Sequence, residues 1–180
     1  MRHTIFLLLP FLLMIADTAR AEWEETSWGM TMAEVRAVTY SAPRLLSAAE
    51  IVGPVQGAAG SVLAMEDSVG DGLFDVFFLI GRDGLYRIDM TARDGHQASC
   101  PDLVAEVTTR RGPAQEVDTD TLACLSESCP GTTTWSWRNL PDGSVIDIAM
   151  EVSGLPDDAP WSCTASLVKD NAPQSLLPEQ

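Results

Sequence analysis

Leu73-Phe74-Asp75-Val76-Phe77-Phe78-Leu79-Ile80, then Gly81-Arg82-Asp83-Gly84, then Leu85-Tyr86-Arg87-Ile88-Asp89-Met90 is the stretch on which the fold turns. Two runs rich in β-branched and aromatic residues flank four residues of turn chemistry, the pattern of an antiparallel hairpin. Ser61 to Ser68 has the same character, so Ser61 to Met90 reads as a meander of three antiparallel strands. Such a sheet has an apolar face that must be covered, and the chain places a helix on each side of it. Upstream, Thr31 and Glu34 form a capping box that opens a helix over Thr31 to Val38, ended before Pro43. The threonine oxygen accepts one orphan N–H while the glutamate reaches back to another. Downstream, Ser99 and Asp102 make a second capping box for Ser99 to Arg111, with Pro101 in the first turn. Leu103, Val104 and Val107 share a face of that helix, and Arg110, Arg111, Gly112 and Pro113 close it.

After an acidic connection the β pattern resumes: Thr132 to Leu140, a turn at Pro141-Asp142-Gly143, Val145 to Val152, and Trp161 to Val168. Helix and three strands thus occur twice. The expectation is an α+β fold, an antiparallel sheet of about six strands in two α-β-β-β halves, about 22–97 and 98–169, with the helices packed on one face of a single domain. Ser47 to Val52 reads either as a helical turn or as an edge strand, and residues 170–180, without periodicity, as a flexible tail.

The first 21 residues have the pattern of a secretory signal peptide: Arg2 and His3, an apolar run from Ile5 to Ile15, and Ala19-Arg20-Ala21 before the expected cleavage point. As a helix that run rises only about 16 Å, half of what a membrane span needs. A periplasmic or secreted protein is expected, its mature chain not inserted in a membrane. Acidic residues outnumber basic ones 26 to 11 in the 180, a net charge of −15, so nucleic acid is a poor partner. Four cysteines in an exported chain read as two disulfides. The preferred pairing is Cys124 with Cys129, a short loop, and Cys100 with Cys163. Zinc is disfavoured, because the cysteines lack a second close pair and His96 is the one histidine beyond the signal segment.

Trp28-Gly29-Met30-Thr31-Met32-Ala33-Glu34-Val35 resembles the Trp-Gly-Met-Ser/Thr-x-x-Glu-Val opening of a group of small exported bacterial proteins of mostly unknown function. More distantly it is similar to the Gly-Met-Thr helix start of the small lipoproteins of the outer-membrane barrel-assembly machine. The likeness extends to the hairpin at Phe74 to Met90, the helix end at Arg111-Gly112 and the strand near Trp135. It implies an α+β layer of the kind also seen in β-lactamase-inhibitor proteins, folds that bind other proteins and catalyse nothing. The chain departs from the assembly lipoproteins in having no lipid-acceptor cysteine and in adding a second half with disulfides, so their specific role is not carried over.

The residues offer few chemical constellations. Asp67-Ser68-Val69-Gly70-Asp71-Gly72-Leu73-Phe74-Asp75 resembles a calcium loop with Asp67, Asp71 and Asp75 as ligands, although Val69 occupies a ligand position. Calcium is the one cofactor the sequence suggests. His96 with Cys100 would need a reduced thiol and an orienting group to act as a nucleophile pair. The acidic pairs Asp118 and Asp120, and Asp157 and Asp158, sit in polar surroundings where their environments do not differ enough for acid–base work. No catalytic residue is assigned, and a divergent hydrolase is the weakest reading. Trp135 and Trp137 share one face of a strand and are either core beneath a helix or an aromatic interface platform. Polar Thr134, Ser136 and Arg138 on the other face favour core. The functional expectation is a protein-binding module of inhibitor or envelope-assembly type, non-enzymatic, with a calcium-stabilised structural domain as the alternative.

Overall fold

The computed structural model describes residues 23, 25–51, 55, 58–93, 99–121, 131–152 and 161–170. Residues 1–21, expected to be a signal segment, and the expected tail beyond Asp170 lie outside them. In chain order the elements are α1 (Met32–Val38), β1 (Arg44–Leu45), β2 (Ser61–Val69), β3 (Gly72–Gly81), β4 (Gly84–Ala92), α2 (Ser99–Arg111), β5 (Glu116–Thr121), β6 (Gly131–Trp137), β7 (Ser144–Val152) and β8 (Trp161–Lys169). The strands form one antiparallel sheet in the order β1-β2-β3-β4-β8-β7-β6-β5.

The fold is α+β as expected, but the sheet has eight strands rather than six. The additional two are its edges. β1 is only two residues long, and β5 lies within the acidic stretch read as a connection. The strand order is a palindrome: each half is a helix followed by four strands, and the halves meet through their last strands, where Met90 is paired with Ala165.

One face carries the main core. Val76, Met90, Ala165, Ile148 and Trp135 follow one another across the register, as do Phe78, Ile88, Leu167, Ile146 and Trp137. Cys100, Leu103 and Val107 of α2 and Val35 of α1 pack on this face. Trp137 is fully buried and donates its indole N–H to the Gly112 carbonyl (2.9 Å). Trp135 is half-buried against the same core. Trp137 is therefore core, and Trp135 packs partly buried on the same side.

The Thr31–Glu34 capping box is present, with Thr31 N to Glu34 Oε2 at 2.8 Å and Glu34 N to Thr31 Oγ1 at 3.4 Å. The second box is not built as expected. Ser99 lies within the helix, and the Asp102 carboxylate turns across to the β2–β3 turn, where it accepts the Asp71 N–H (3.2 Å). Ser47 to Glu50 is a turn, as the first of its two readings had it. Bonds from the Ser47 backbone and hydroxyl, together with Arg44, hold the Glu50 carboxyl down to about 2. A smaller apolar cluster, Leu46, Val55, Val62 and Leu79 with Phe77 and Tyr86 beside it, covers the other face of the sheet at β2 and β3.

Candidate functional site

Beyond that cluster the second face of the sheet changes character. On β4, Arg87, Asp89 and Thr91 alternate with core residues Ile88 and Met90, so period-2 geometry places all three on the side away from the helices. Register extends this polar set across four further strands. Asp89 lies opposite Ser166, then come Asp147, Ser136 and Glu116; Thr91 lies opposite Thr164, followed by Ala149, Thr134 and Asp118. A third row holds Ser162, Glu151, Thr132 and Asp120. The face from β4 to β5 is thus rich in hydroxyls and carboxylates, with Ala149 and the row Arg87, Val168 and Val145 among them, and among the described residues no helix lies on it.

Asp89 stands at the β4 end of this face and is only 3% exposed. Phe77, its neighbour on β3, belongs to the smaller apolar cluster, so the carboxylate sits at the margin of that cover. Arg87 Nε donates to Asp89 Oδ1 (2.7 Å). Burial raises the carboxyl's pKa, while the Arg87 guanidinium opposes the rise. The Ser166 side chain, opposite on β8, also lowers it as a hydrogen-bond partner. Two strands away, Asp147 Oδ1 accepts from Arg138 Nη2 and from Ser136 Oγ, both at 2.6 Å.

The three aspartates of the expected calcium loop are not brought together. Asp67 is buried on the helix side, where it accepts from the Trp23 indole (3.0 Å) and from the Tyr40 hydroxyl. Asp75 points the other way and pairs with Arg93 (3.0 Å). Asp71 sits on a two-residue hairpin turn whose first residue, Gly70, has φ +56°. Strand alternation, which the loop pattern ignored, separates Asp67 from Asp75. Among the described residues no group of three or more His, Cys, Asp or Glu side chains is placed to hold a metal.

Cys100 and Cys163 are bonded, with Cα atoms 5.4 Å apart. Cys124, Cys129, His96, Asp157 and Asp158 lie outside the described residues. Asp118 and Asp120 stand on β5, on the hydroxyl-rich face. Compared with known proteins, the chain matches no family model, no curated protein and no solved structure.

The opening motif is structural in its contacts. Trp28 packs in the core and its indole N–H reaches Ser144 Oγ (3.1 Å), whose hydroxyl donates to Asp142 Oδ2 (2.6 Å), which also receives Arg111 (2.8 Å). Gly29 and Met30 exchange backbone bonds with Leu85. Also on the helix side, a cleft of about 610 Å³ opens between Trp23, Tyr40, Asp67 and Arg110. Its carboxylate Asp67 is already satisfied from within, and Arg110 is paired with Glu106 (2.6 Å).

Proposed function

We propose that this chain is an exported, non-enzymatic binding protein, of inhibitor or envelope-assembly type, that holds a protein partner on the hydroxyl- and carboxylate-rich face of its sheet. The observation that carries this reading is the asymmetry of the sheet. Both helices pack on one side, and the other side from β4 to β5 presents short polar groups in register. Side chains of that kind on a strand framework lose little rotamer freedom on binding and offer many hydrogen bonds over a broad area, which suits a protein surface better than a small molecule. Export to the periplasm or the exterior is supported by the segment Arg2 to Ala21 and by the Cys100–Cys163 bond, since disulfides persist in oxidising compartments.

The test is capture from an envelope extract by three immobilised forms: the unsubstituted chain, Thr134→Arg in the middle of the polar face, and Glu25→Arg on the helix side. Proteins held by the first and third but lost with Thr134→Arg support the reading. An identical set on all three, or none on any, refutes it.

A further inference from the structure

The two edges of the sheet are finished differently. β1 is two residues long and follows Pro43, which has no N–H to offer a further strand. β5 runs for six residues, Glu116–Thr121, with neither proline nor lysine in it, and its register with β6 has no shift. In an antiparallel sheet alternate residues turn their backbone groups to opposite neighbours. The Asp170 N–H bonds to the Gly143 carbonyl, and the registers carry that alternation from β8 through β7 and β6. It turns the N–H and C=O groups of Glu116, Asp118 and Asp120 towards β6, and those of Val117, Thr119 and Thr121 outward. Among the described residues nothing pairs with that outer side.

The side chains along this edge sort by face. Glu116, Asp118 and Asp120 stand in a row on the hydroxyl-rich side, about 6.6 Å apart. They are exposed and without an ion pair among the described residues. On the helix side Val117 is 56% exposed and lies opposite half-buried Trp135.

We infer that the β5 edge takes up an extended segment of a protein partner as a ninth strand, one in which basic residues alternate with apolar ones. The inference rests on the reading of the hydroxyl- and carboxylate-rich face as a binding surface, and names the border where the partner is held and the chemistry of what is held. The outward backbone groups give the added strand its hydrogen bonds, and side-chain alternation gives it a register. Its basic side chains fall on the acidic row, and its apolar ones fall beside Val117 and cover it. The acids discourage most other strands. A second copy of β5 would set carboxylates against carboxylates, and the net charge of −15 opposes its approach. A folded basic surface would meet the carboxylates but leave Val117 and the outward backbone groups uncovered.

The experiment measures fluorescence anisotropy of labelled heptapeptides against the full mature chain. An alternating lysine–valine peptide binds, and an alternating glutamate–valine peptide does not. A block peptide, all its lysines before all its valines, has the same charge and binds about tenfold more weakly. Thr119→Pro removes one outward N–H and leaves the β6 ladder whole, so the variant folds and binds the alternating peptide about tenfold more weakly. Asp118→Asn/Asp120→Asn weakens that peptide about fivefold, and Glu25→Gln on the helix side changes it less than about twofold. Each variant is first shown to melt cooperatively. Should Thr119→Pro fail to fold, backbone methylation of the peptide keeps the test alive on the unsubstituted chain. Methyl groups on one alternate set of its nitrogens abolish binding and those on the other set do not; no loss from either overturns the added strand. Equal binding of the alternating and block peptides overturns it too, as does unchanged binding by a folded Thr119→Pro. If Thr134→Arg abolishes capture from extracts while Thr119→Pro leaves capture and peptide binding intact, the added strand is wrong and the binding face stands. If Thr134→Arg leaves capture unchanged while Thr119→Pro still weakens the alternating peptide, the face is wrong and the edge stands.

Discussion

At Trp28 one side chain serves two parts of the sheet: its ring lies in the core near α1, and its N–H is bonded to Ser144 at the start of β7. Trp28→Ala should cost about 3 to 5 kcal/mol, whereas Thr31→Ala, which removes a cap in an exposed position, should cost about 1 kcal/mol. Urea midpoints of the two variants check the order. Asp89 makes the opposite prediction. Burial raises its pKa in the folded state, so the folded protein binds more protons than the unfolded one across that window, and stability declines as pH rises through the raised value. Asp89→Asn should therefore match or exceed the parent's melting temperature at pH 7, and the difference should close as pH falls to the range where the parent is itself protonated. A variant less stable than its parent at pH 7 and equal at low pH would contradict this.

At the scale of elements, sequence legibility followed the strength of local signals. The capping box at Thr31, the hairpin through Gly81–Gly84 and the inward pair Trp135 and Trp137 could be read because each obeys a short-range rule. β1 was illegible because two residues carry no period, and β5 because Glu-Val-Asp-Thr-Asp-Thr has the composition of a solvated loop. As an edge strand β5 needs only one partner, and its acids discourage pairing with a further strand. The burial of Asp89 was equally hidden, since an aspartate in a strand reads as solvent-facing until the cluster beside Phe77 is known. Glycines supply a sharper test. Gly84 has φ +90°, and a Cβ there would stand 2.0 Å from the Gly29 carbonyl oxygen; Gly112 has φ +85° with open space around it. Both alanine variants carry the left-handed penalty of about 1 to 2 kcal/mol, but only Gly84→Ala must also push the opening motif away. Gly84→Ala should be the less stable by a clear margin in thermal melts.

For the whole molecule, the Cys100–Cys163 bond closes a long loop, a sequence separation of 63, between α2 and β8. On the loop-entropy account this stabilises by about 4 kcal/mol, an upper value. Cys100→Ala/Cys163→Ala should lower the urea midpoint substantially while keeping the same sheet by circular dichroism. An unchanged midpoint would mean that packing of α2 alone holds that side.

The palindromic strand order has a further effect on how the molecule can assemble. Every neighbouring pair in the sheet joins strands consecutive in the chain, with the exception of β4 and β8. That seam is the sole strand pairing whose closure must wait for distant segments to meet, so it is expected to form late. Until it does, β4 and β8 each expose an edge of complementary register, and β8 of a second chain fits β4 as well as the chain's own does. Refolding at high concentration should therefore yield reciprocally exchanged dimers. Since both cysteines of the bond lie after β4 in the second half, such dimers would elute at twice the mass in gel filtration yet run as monomers in denaturing gels without reductant.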